Sequence, residues 1–165
     1  MDDGIYLMTI QPTSGPSALL SAMYNINYYA DSELDAAKGM YTDRSGTEFW
    51  YLSRYAVNRG YRTKFVRPAG IGDAPCPAIV PVFKVWEDSQ DDDRAADQPD
   101  DQNDIQPEKR ADRPVSYVAL LKKSGDGRLT VGDPAAGRLE LSEYEFVSRY
   151  GDPELVLAVS APRAR

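Results

Sequence analysis

Residues 10–20 read IQPTSGPSALL, a short polar turn followed by Gly-Pro and an apolar helix start. Pro16 fits the first turn of a helix, because the amide hydrogen that proline lacks has no partner there. From that point apolar side chains recur at helical spacing, at Leu19, Leu20, Met23, Tyr24 and Ile26. The stretch therefore predicts a helix that begins near the Gly-Pro pair and buries one face.

Two further helices are predicted before residue 61. The segment 31–39, DSELDAAKG, has the composition of a short helix that is closed by its final glycine. The segment 43–60 predicts a third helix, opened by a capping box of Ser45 and Glu48. The first third of the chain is therefore expected to be helical.

Beyond residue 60 the pattern becomes strand-like. Strands are predicted at 61–66, 77–86, 115–123, 128–134, 138–142 and 154–161. A last helix at 142–151 opens with a capping box of Ser142 and Glu145. The prolines in the second strand indicate an edge position or an irregular start. Helices followed by an antiparallel sheet predict an α+β fold of two lobes with a cleft between them.

The negative charge of the chain is concentrated in one segment. The net charge is −7, and residues 87–113 hold eleven acidic and four basic side chains, so the remainder is neutral. This tract has almost no aliphatic residues, and we predict a disordered acidic insertion within a single domain that spans residues 1–165. It is either a solvated spacer or a segment that attracts a basic partner or lies over the cleft.

Composition excludes several classes of function. The chain has no histidine and a single cysteine, Cys76, so Ser-His-Asp and Cys-His triads and cysteine-rich zinc sites are impossible within it. The acidic tract lacks the turn glycine and final glutamate of an EF-hand loop. We expect no cofactor and no metal.

Membrane and nucleic-acid functions are not expected either. No run approaches the roughly 18 apolar residues that a membrane span needs. The N-terminus is acidic and its apolar stretch is short, unlike a secretory signal, so the expected location is cytoplasmic. No basic patch stands out in the sequence, so nucleic acid is not an expected partner.

The order of these motifs resembles the C39-type peptidases, papain-like domains that occur free or fused to bacterial peptide exporters. The resemblance covers nearly the whole chain, in the segments SGPSALL (14–20), 45–61, PAIVPV (77–82), SYVALLKK (116–123), 131–146 and LVLAV (155–159). It implies a papain-like α+β fold, in which an N-terminal helical lobe packs on a C-terminal antiparallel sheet.

The resemblance also implies where a catalytic site would lie. In the family a cysteine thiolate attacks a peptide carbonyl, a histidine activates it, an aspartate orients the histidine, and a glutamine donates to the oxyanion. Carried over by motif, the cysteine position is Ser14, the histidine position is Ser116 and the aspartate is Asp133. Gln11 matches the glutamine but lies closer to Ser14 than the family spacing, so we expect it out of position.

These substitutions favour an inactive member of the family. We expect a pseudopeptidase that holds a peptide or protein segment in the inherited cleft and has no catalytic residues. Its expected partner is a peptide or protein, with a basic leader peptide or an exporter component as candidates.

The alternative is an active peptidase or amide hydrolase of the same fold, in which Ser14 acts with a base other than histidine. Lys122 and Lys123 lie about 20 Å from Ser116 along an extended strand at about 3.3 Å per residue, too far to serve. Lys64 and Lys84 stay open as candidate bases.

Overall fold

The computed structural model describes residues 4–8, 13–44, 46–82 and 116–162, and the statements below concern these ranges. They form four α-helices, one short 3-10 helix and a six-stranded sheet. The helices are α1 (Ser14–Asn27), α2 (Glu33–Gly39), α3 (Phe49–Asn58) and α4 (Glu143–Tyr150), and the 3-10 helix is Ile71–Asp73. The strands are β1 (Arg62–Val66), β2 (Ala78–Val82), β3 (Ser116–Lys123), β4 (Leu129–Asp133), β5 (Gly137–Leu141) and β6 (Val156–Ser160). The predicted α+β class is confirmed.

Helix α1 is the central helix of the helical lobe. It begins at Ser14, so Pro16 lies in its first turn as predicted. Every residue from Ser14 to Met23 is buried, which means that this half of α1 is surrounded on all sides and not only on one face. No helix in the described ranges is long and apolar enough to cross a membrane.

Helix α3 is shorter than the predicted helix 43–60. Glu48 is its N-cap, whereas the predicted capping box needed Glu48 three residues inside the helix, so that box was wrong. Ser45 lies outside the described residues. The physical reason is Gly46, whose φ of 103° cannot continue a helix and which forms an isolated β-bridge with Asp43.

The capping box of α4 is confirmed. Ser142 Oγ accepts a hydrogen bond from the Glu145 amide at 3.1 Å, and the Glu145 carboxylate accepts one from the Ser142 amide at 2.8 Å. The bond from the Ser142 amide, more than any other influence, lowers the pKa of the Glu145 carboxyl, because it stabilises the charged form.

The strand order is β1-β6-β2-β3-β4-β5, and all neighbouring strands are antiparallel. β2 is therefore internal, and an edge position for this strand was wrong. The other predicted option, an irregular start, agrees with the cis peptide bond before Pro77. β2 pairs with β6 only at Ala78 and Ile79, so Pro81 lies beyond that pairing, where a missing amide hydrogen costs least. The remainder of the predicted strand and the tract 87–113 lie outside the described residues.

Alternation along the strands gives the sheet two apolar faces. One face packs against α1, α2 and α3, and its strand residues include Ile79, Tyr117, Ala119, Leu121, Leu157 and Val159. The other face packs against Phe146 of α4 and the 3-10 helix, and its strand residues include Val80, Val118, Leu120, Val131 and Val156. The helical lobe thus packs on the sheet, as the fold prediction stated.

A polar cluster joins α3 to the link between α1 and α2. The Tyr55 hydroxyl donates to Asp31 Oδ2 at 2.6 Å. Arg59 places its guanidinium carbon 3.4 Å from the centre of the Tyr55 ring and donates to the Tyr29 hydroxyl at 2.9 Å. The hydrogen bond from Tyr55, more than any other influence, lowers the pKa of the Asp31 carboxyl.

Asp31→Asn is expected to lower the free energy of unfolding at pH 7 by about 1 kcal/mol, because an amide oxygen is a weaker acceptor than a carboxylate for the Tyr55 hydroxyl at this half-buried site. Because the folded-state pKa is depressed, the stabilisation is present above the unfolded value of about 3.9 and is lost as pH falls through the folded value. The gap between wild type and variant should therefore shrink as the pH falls below about 4 in urea titrations. Asp152→Asn, at an exposed position, is the control, and a gap that stays constant with pH would contradict this account.

Candidate functional site

The start of α1 meets the start of β3. Ser14, the first residue of α1, is 6% exposed. Its Oγ accepts a hydrogen bond from the backbone amide of Tyr117 at 3.1 Å. Tyr117 directly follows Ser116, which is the half-buried first residue of β3. The fold therefore brings position 14 to the peptide unit that joins positions 116 and 117, although the two are about a hundred residues apart in the chain.

Tight packing holds this junction in place. The buried Tyr117 donates its hydroxyl hydrogen to the Thr47 carbonyl at 2.7 Å, which ties β3 to the segment before α3. Burial raises the pKa of the Tyr117 hydroxyl, so it stays a neutral donor. A Cβ atom on Gly15 would lie 3.2 Å from side-chain atoms of both Thr47 and Tyr117, closer than packed carbons normally approach. A glycine after Ser14 is therefore what lets α1 come this close to β3.

Asp133, the last residue of β4, has both carboxylate oxygens engaged. The Tyr150 hydroxyl of α4 donates to Oδ2 at 2.6 Å, and the Ala135 amide donates to Oδ1 at 2.8 Å. Burial first, and then the charge of Asp133, raise the pKa of Tyr150, so the tyrosine is a proton donor throughout the physiological range. Asp133 thus caps the β4–β5 turn and fixes α4 to the sheet. In the ranges that the structure describes it makes no hydrogen bond to Ser14 or Ser116.

Lys64 does not point towards α1. Its neighbours on β1 contact α3, which packs on the same face of the sheet as α1: Thr63 bonds to Ser53 through the hydroxyls at 2.7 Å, and the Phe65 ring lies 5.1 Å from the Phe49 ring. Since side chains alternate along a strand, Lys64 faces the other side. This lysine is excluded as a base for the hydroxyl at the start of α1.

The other sequence-predicted residues are placed as follows. Lys122 and Lys123 are exposed at the far end of β3, and Lys123 Nζ donates to the Gly72 carbonyl at 2.7 Å. Gln11 and Lys84 lie outside the described residues. Hence none of the candidate lysines Lys64, Lys122 and Lys123 lies at the Ser14 hydroxyl.

The described residues offer little alternative chemistry. No group of three or more His, Cys, Asp or Glu side chains within them is placed to hold a metal ion. Burial raises the pKa of the Cys76 thiol, which disfavours the reactive thiolate. Among the described residues, the Ser14 hydroxyl is bonded to the Tyr117 amide, and no acidic or basic side chain forms a hydrogen bond with it. The charge of Glu48 acts on Tyr117 and adds to the effect of burial on the tyrosine pKa.

Sequence reasoning missed the two tyrosines that support this site. The Tyr117 backbone amide donates to Ser14 Oγ, and the Tyr150 hydroxyl donates to Asp133 Oδ2. A signal for Tyr150 exists in hindsight, since a buried tyrosine on an amphipathic helix needs a partner for its hydroxyl. A backbone amide carries no signal in a sequence.

Several solved structures have the same architecture. The double glycine motif protease from an AMS/PCAT transporter, solved in complex with the leader peptide, matches with a TM-score of 0.65 at 15% identity, over 96% of this chain and 91% of that chain. The peptidase domain of Streptococcus ComA, a bi-functional ABC transporter involved in a quorum sensing pathway, matches with a TM-score of 0.66 at 17% identity, over 96% and 98%.

A third match is the N-terminal peptidase C39 like domain of the toxin secretion ATP-binding protein from Vibrio parahaemolyticus. Its TM-score is 0.54 at 12% identity, over 93% of this chain and 98% of that chain. No family model and no curated protein matches the sequence. At these identities the likeness concerns architecture alone. The chain has the α+β fold of C39 peptidase-like domains, as its motifs predicted.

Proposed function

We propose that this chain is a catalytically inactive C39-like pseudopeptidase that binds a peptide or protein segment and does not cleave it. The observation that supports this most is the hydrogen bond between Ser14 Oγ and the Tyr117 amide in a chain without histidine. A serine hydroxyl is a weak nucleophile near neutral pH unless a base removes its proton. Here the described partner of the oxygen is an amide N–H, which donates a hydrogen bond and cannot accept the hydroxyl proton. In this proposal the hydroxyl serves as a structural link between α1 and β3.

The proposed binding role is supported by two features near the start of α1 and the end of β4. Gly15 keeps the approach of α1 to β3, and Asp133 keeps its buried position with a new partner in Tyr150. A groove shaped for an extended chain persists when such a frame is kept, even if the nucleophile and base are gone. One structural neighbour was solved with a leader peptide bound, which makes a peptide a reasonable ligand class.

The proposed partner is a peptide or protein segment presented in trans, with a leader peptide or an exporter component as candidates. A cytoplasmic location belongs to the same proposal. The competing hydrolase would require a base at Ser14, and Lys64, the candidate that lies in the described ranges, faces the other side of the sheet.

A peptide selection with site variants tests the binding role. Peptides selected from a phage-displayed random library on the wild-type chain are synthesised with a fluorescent label, and their affinities are measured by anisotropy. Ser116→Arg places a long charged side chain at the mouth of the proposed groove and is expected to weaken binding at least about tenfold, on the scale of a disrupted interface contact. Ser124→Arg, the same change at an exposed position of the β3–β4 turn, should leave the affinities unchanged.

Mass spectrometry of the same mixtures completes the experiment. The peptides are expected to remain intact after prolonged incubation. Equal affinities for the wild type and Ser116→Arg would show that selected peptides bind elsewhere, and cleavage products that accumulate with the wild type would contradict an inactive domain.

A further inference from the structure

Strand β1 is an edge strand of the sheet that the described residues form. It is the first strand in the sheet order, and its partner in the described ranges is β6, with Arg62 opposite Ser160 and Val66 opposite Val156. Its other side therefore presents backbone amides and carbonyls that no described strand pairs with. An unpaired edge of this kind is a template on which another extended chain can add.

The charge around this edge is one-sided. Between residues 49 and 72 the chain contains no acidic residue, and its basic residues are Arg54, Arg59, Arg62, Lys64 and Arg67. Arg62, Lys64 and Arg67 are exposed. The ion pair found in the described ranges is Arg138 with Glu140, on β5, so none of these three cations has an acidic partner there. The β1 edge is thus strongly basic, whereas the opposite edge of the sheet carries both signs of charge.

The two faces of β1 differ in character. Thr63 and Phe65 lie on the face that meets α3, and Phe65 remains 39% exposed although its ring touches Phe49. Arg62 and Lys64 alternate with them and lie on the other face. A strand added at this edge would place every second side chain beside the cations and the remaining ones beside the partly exposed aromatic ring.

We propose that the β1 edge is a docking site for an extended acidic segment of a partner protein, in which acidic and apolar residues alternate. The segment would add to the sheet through backbone hydrogen bonds, and its acidic side chains would pair with Arg62 and Lys64 across the strands, an arrangement that stabilises neighbouring strands. Three strand spacings, about 14 Å at about 4.8 Å each, separate β1 from β3. The surface is therefore distinct from the Ser14 site, and either proposal can fail without the other.

The test uses a fluorescein-labelled peptide of alternating Glu and Val residues, of the same length as β1 plus one residue at each end. Anisotropy should show binding to the full chain that weakens as salt is raised. Arg62→Glu combined with Lys64→Glu is expected to weaken binding at least about tenfold, because two favourable cross-strand pairs become repulsive. Lys122→Glu combined with Arg128→Glu, the same charge change on the β3–β4 hairpin, should change affinity less than about twofold.

A second measurement needs no variant of the protein. Two N-methylated versions of the peptide are made, one methylated at the odd-numbered residues and one at the even-numbered residues. Because the amides of alternate residues point to opposite edges of a strand, each version lacks the amide donors of one edge. If the peptide pairs with β1, one set should abolish binding and the other should leave it intact. Hydrogen exchange of the wild-type chain should also slow at residues 62–66 when the parent peptide is added.

Three outcomes would overturn the proposal. The first is an equal loss of affinity in the two double variants. The second is unchanged binding of both N-methylated peptides. The third is a single-stranded oligonucleotide that binds more tightly than the peptide with the same dependence on Arg62 and Lys64, since that would mark a general polyanion surface.

Discussion

Ser14→Cys combined with Ser116→His, in a chain that also carries Cys76→Ala, is expected to contain a thiol whose pKa lies about two units below the ordinary value of about 8.5. The start of α1 and the start of β3 meet through the bond from Tyr117 to Ser14, so an imidazolium at position 116 would lie close to a thiolate at position 14. The positive end of the helix dipole at the start of α1 acts in the same direction.

The measurement is the rate of alkylation by iodoacetamide as a function of pH. At pH 6 a two-unit fall in pKa raises the thiolate fraction about a hundredfold. The lower nucleophilicity of a more acidic thiolate removes part of this gain, which leaves an expected acceleration of about tenfold over Ser14→Cys alone.

The control variant has the same two new side chains, a thiol and an imidazole, but the imidazole lies at a different position. Ser14→Cys with Ser124→His places the histidine on the exposed β3–β4 turn, and its pH profile should match that of Ser14→Cys alone. If the two double variants have the same profile, position 116 is not the histidine position, and the assignment of the site by motif fails.

Tyr117→Ala is expected to lower the free energy of unfolding by about 3–5 kcal/mol, the scale for deleting a buried aromatic side chain. The ring is 3% exposed and packs against Phe49 with 5.5 Å between ring centres. Tyr117→Phe keeps the ring but leaves the Thr47 carbonyl without its donor, and about 1–2 kcal/mol is expected for that change. Urea unfolding of the three chains gives both values.

Phe146→Ala is the matched control, because it removes a fully buried aromatic side chain from the core on the other face of the sheet. Its global cost should be similar, but only Tyr117→Ala should speed hydrogen exchange at the first turn of α1, since Tyr117 packs against Gly15 there. Equal exchange at α1 in the two variants would contradict the role assigned to Tyr117.

Local signals in the sequence predicted the elements whose ends are set locally. The capping box of α4 is formed by residues three apart, and it lies where the sequence placed it. The predicted start of α3 was wrong. The capping pattern of Ser45 and Glu48 favoured an earlier start, but the positive φ of Gly46 stops any helix from forming there.

Strand order could not be predicted in the same way, because it depends on pairings between distant segments. β6, the last strand in the chain, lies between β1 and β2, and this makes β2 internal despite its prolines. Alternation within a strand shows which residues share a face, but it does not reveal which strand lies alongside.

At the candidate site, too, the sequence carries information about single positions but not about contacts between distant segments. The family resemblance implied positions 14, 116 and 133, but it did not reveal how the remaining polar groups are satisfied. The amide that binds Ser14 comes from β3, and the hydroxyl that binds Asp133 comes from α4. These partners depend on how α1, β3 and α4 pack, which is a property of the whole fold.

Treatment of the wild-type chain and Ser14→Ala with a fluorophosphonate probe, together with a peptide-library cleavage assay, tests the loss of catalysis most directly. We expect no labelling at residue 14 and no new peptide termini above the background of Ser14→Ala, because the described partner of the Ser14 hydroxyl is an amide donor and not a base. Labelling at Ser14 that disappears in Ser14→Ala, accompanied by turnover of any amide substrate, would contradict it.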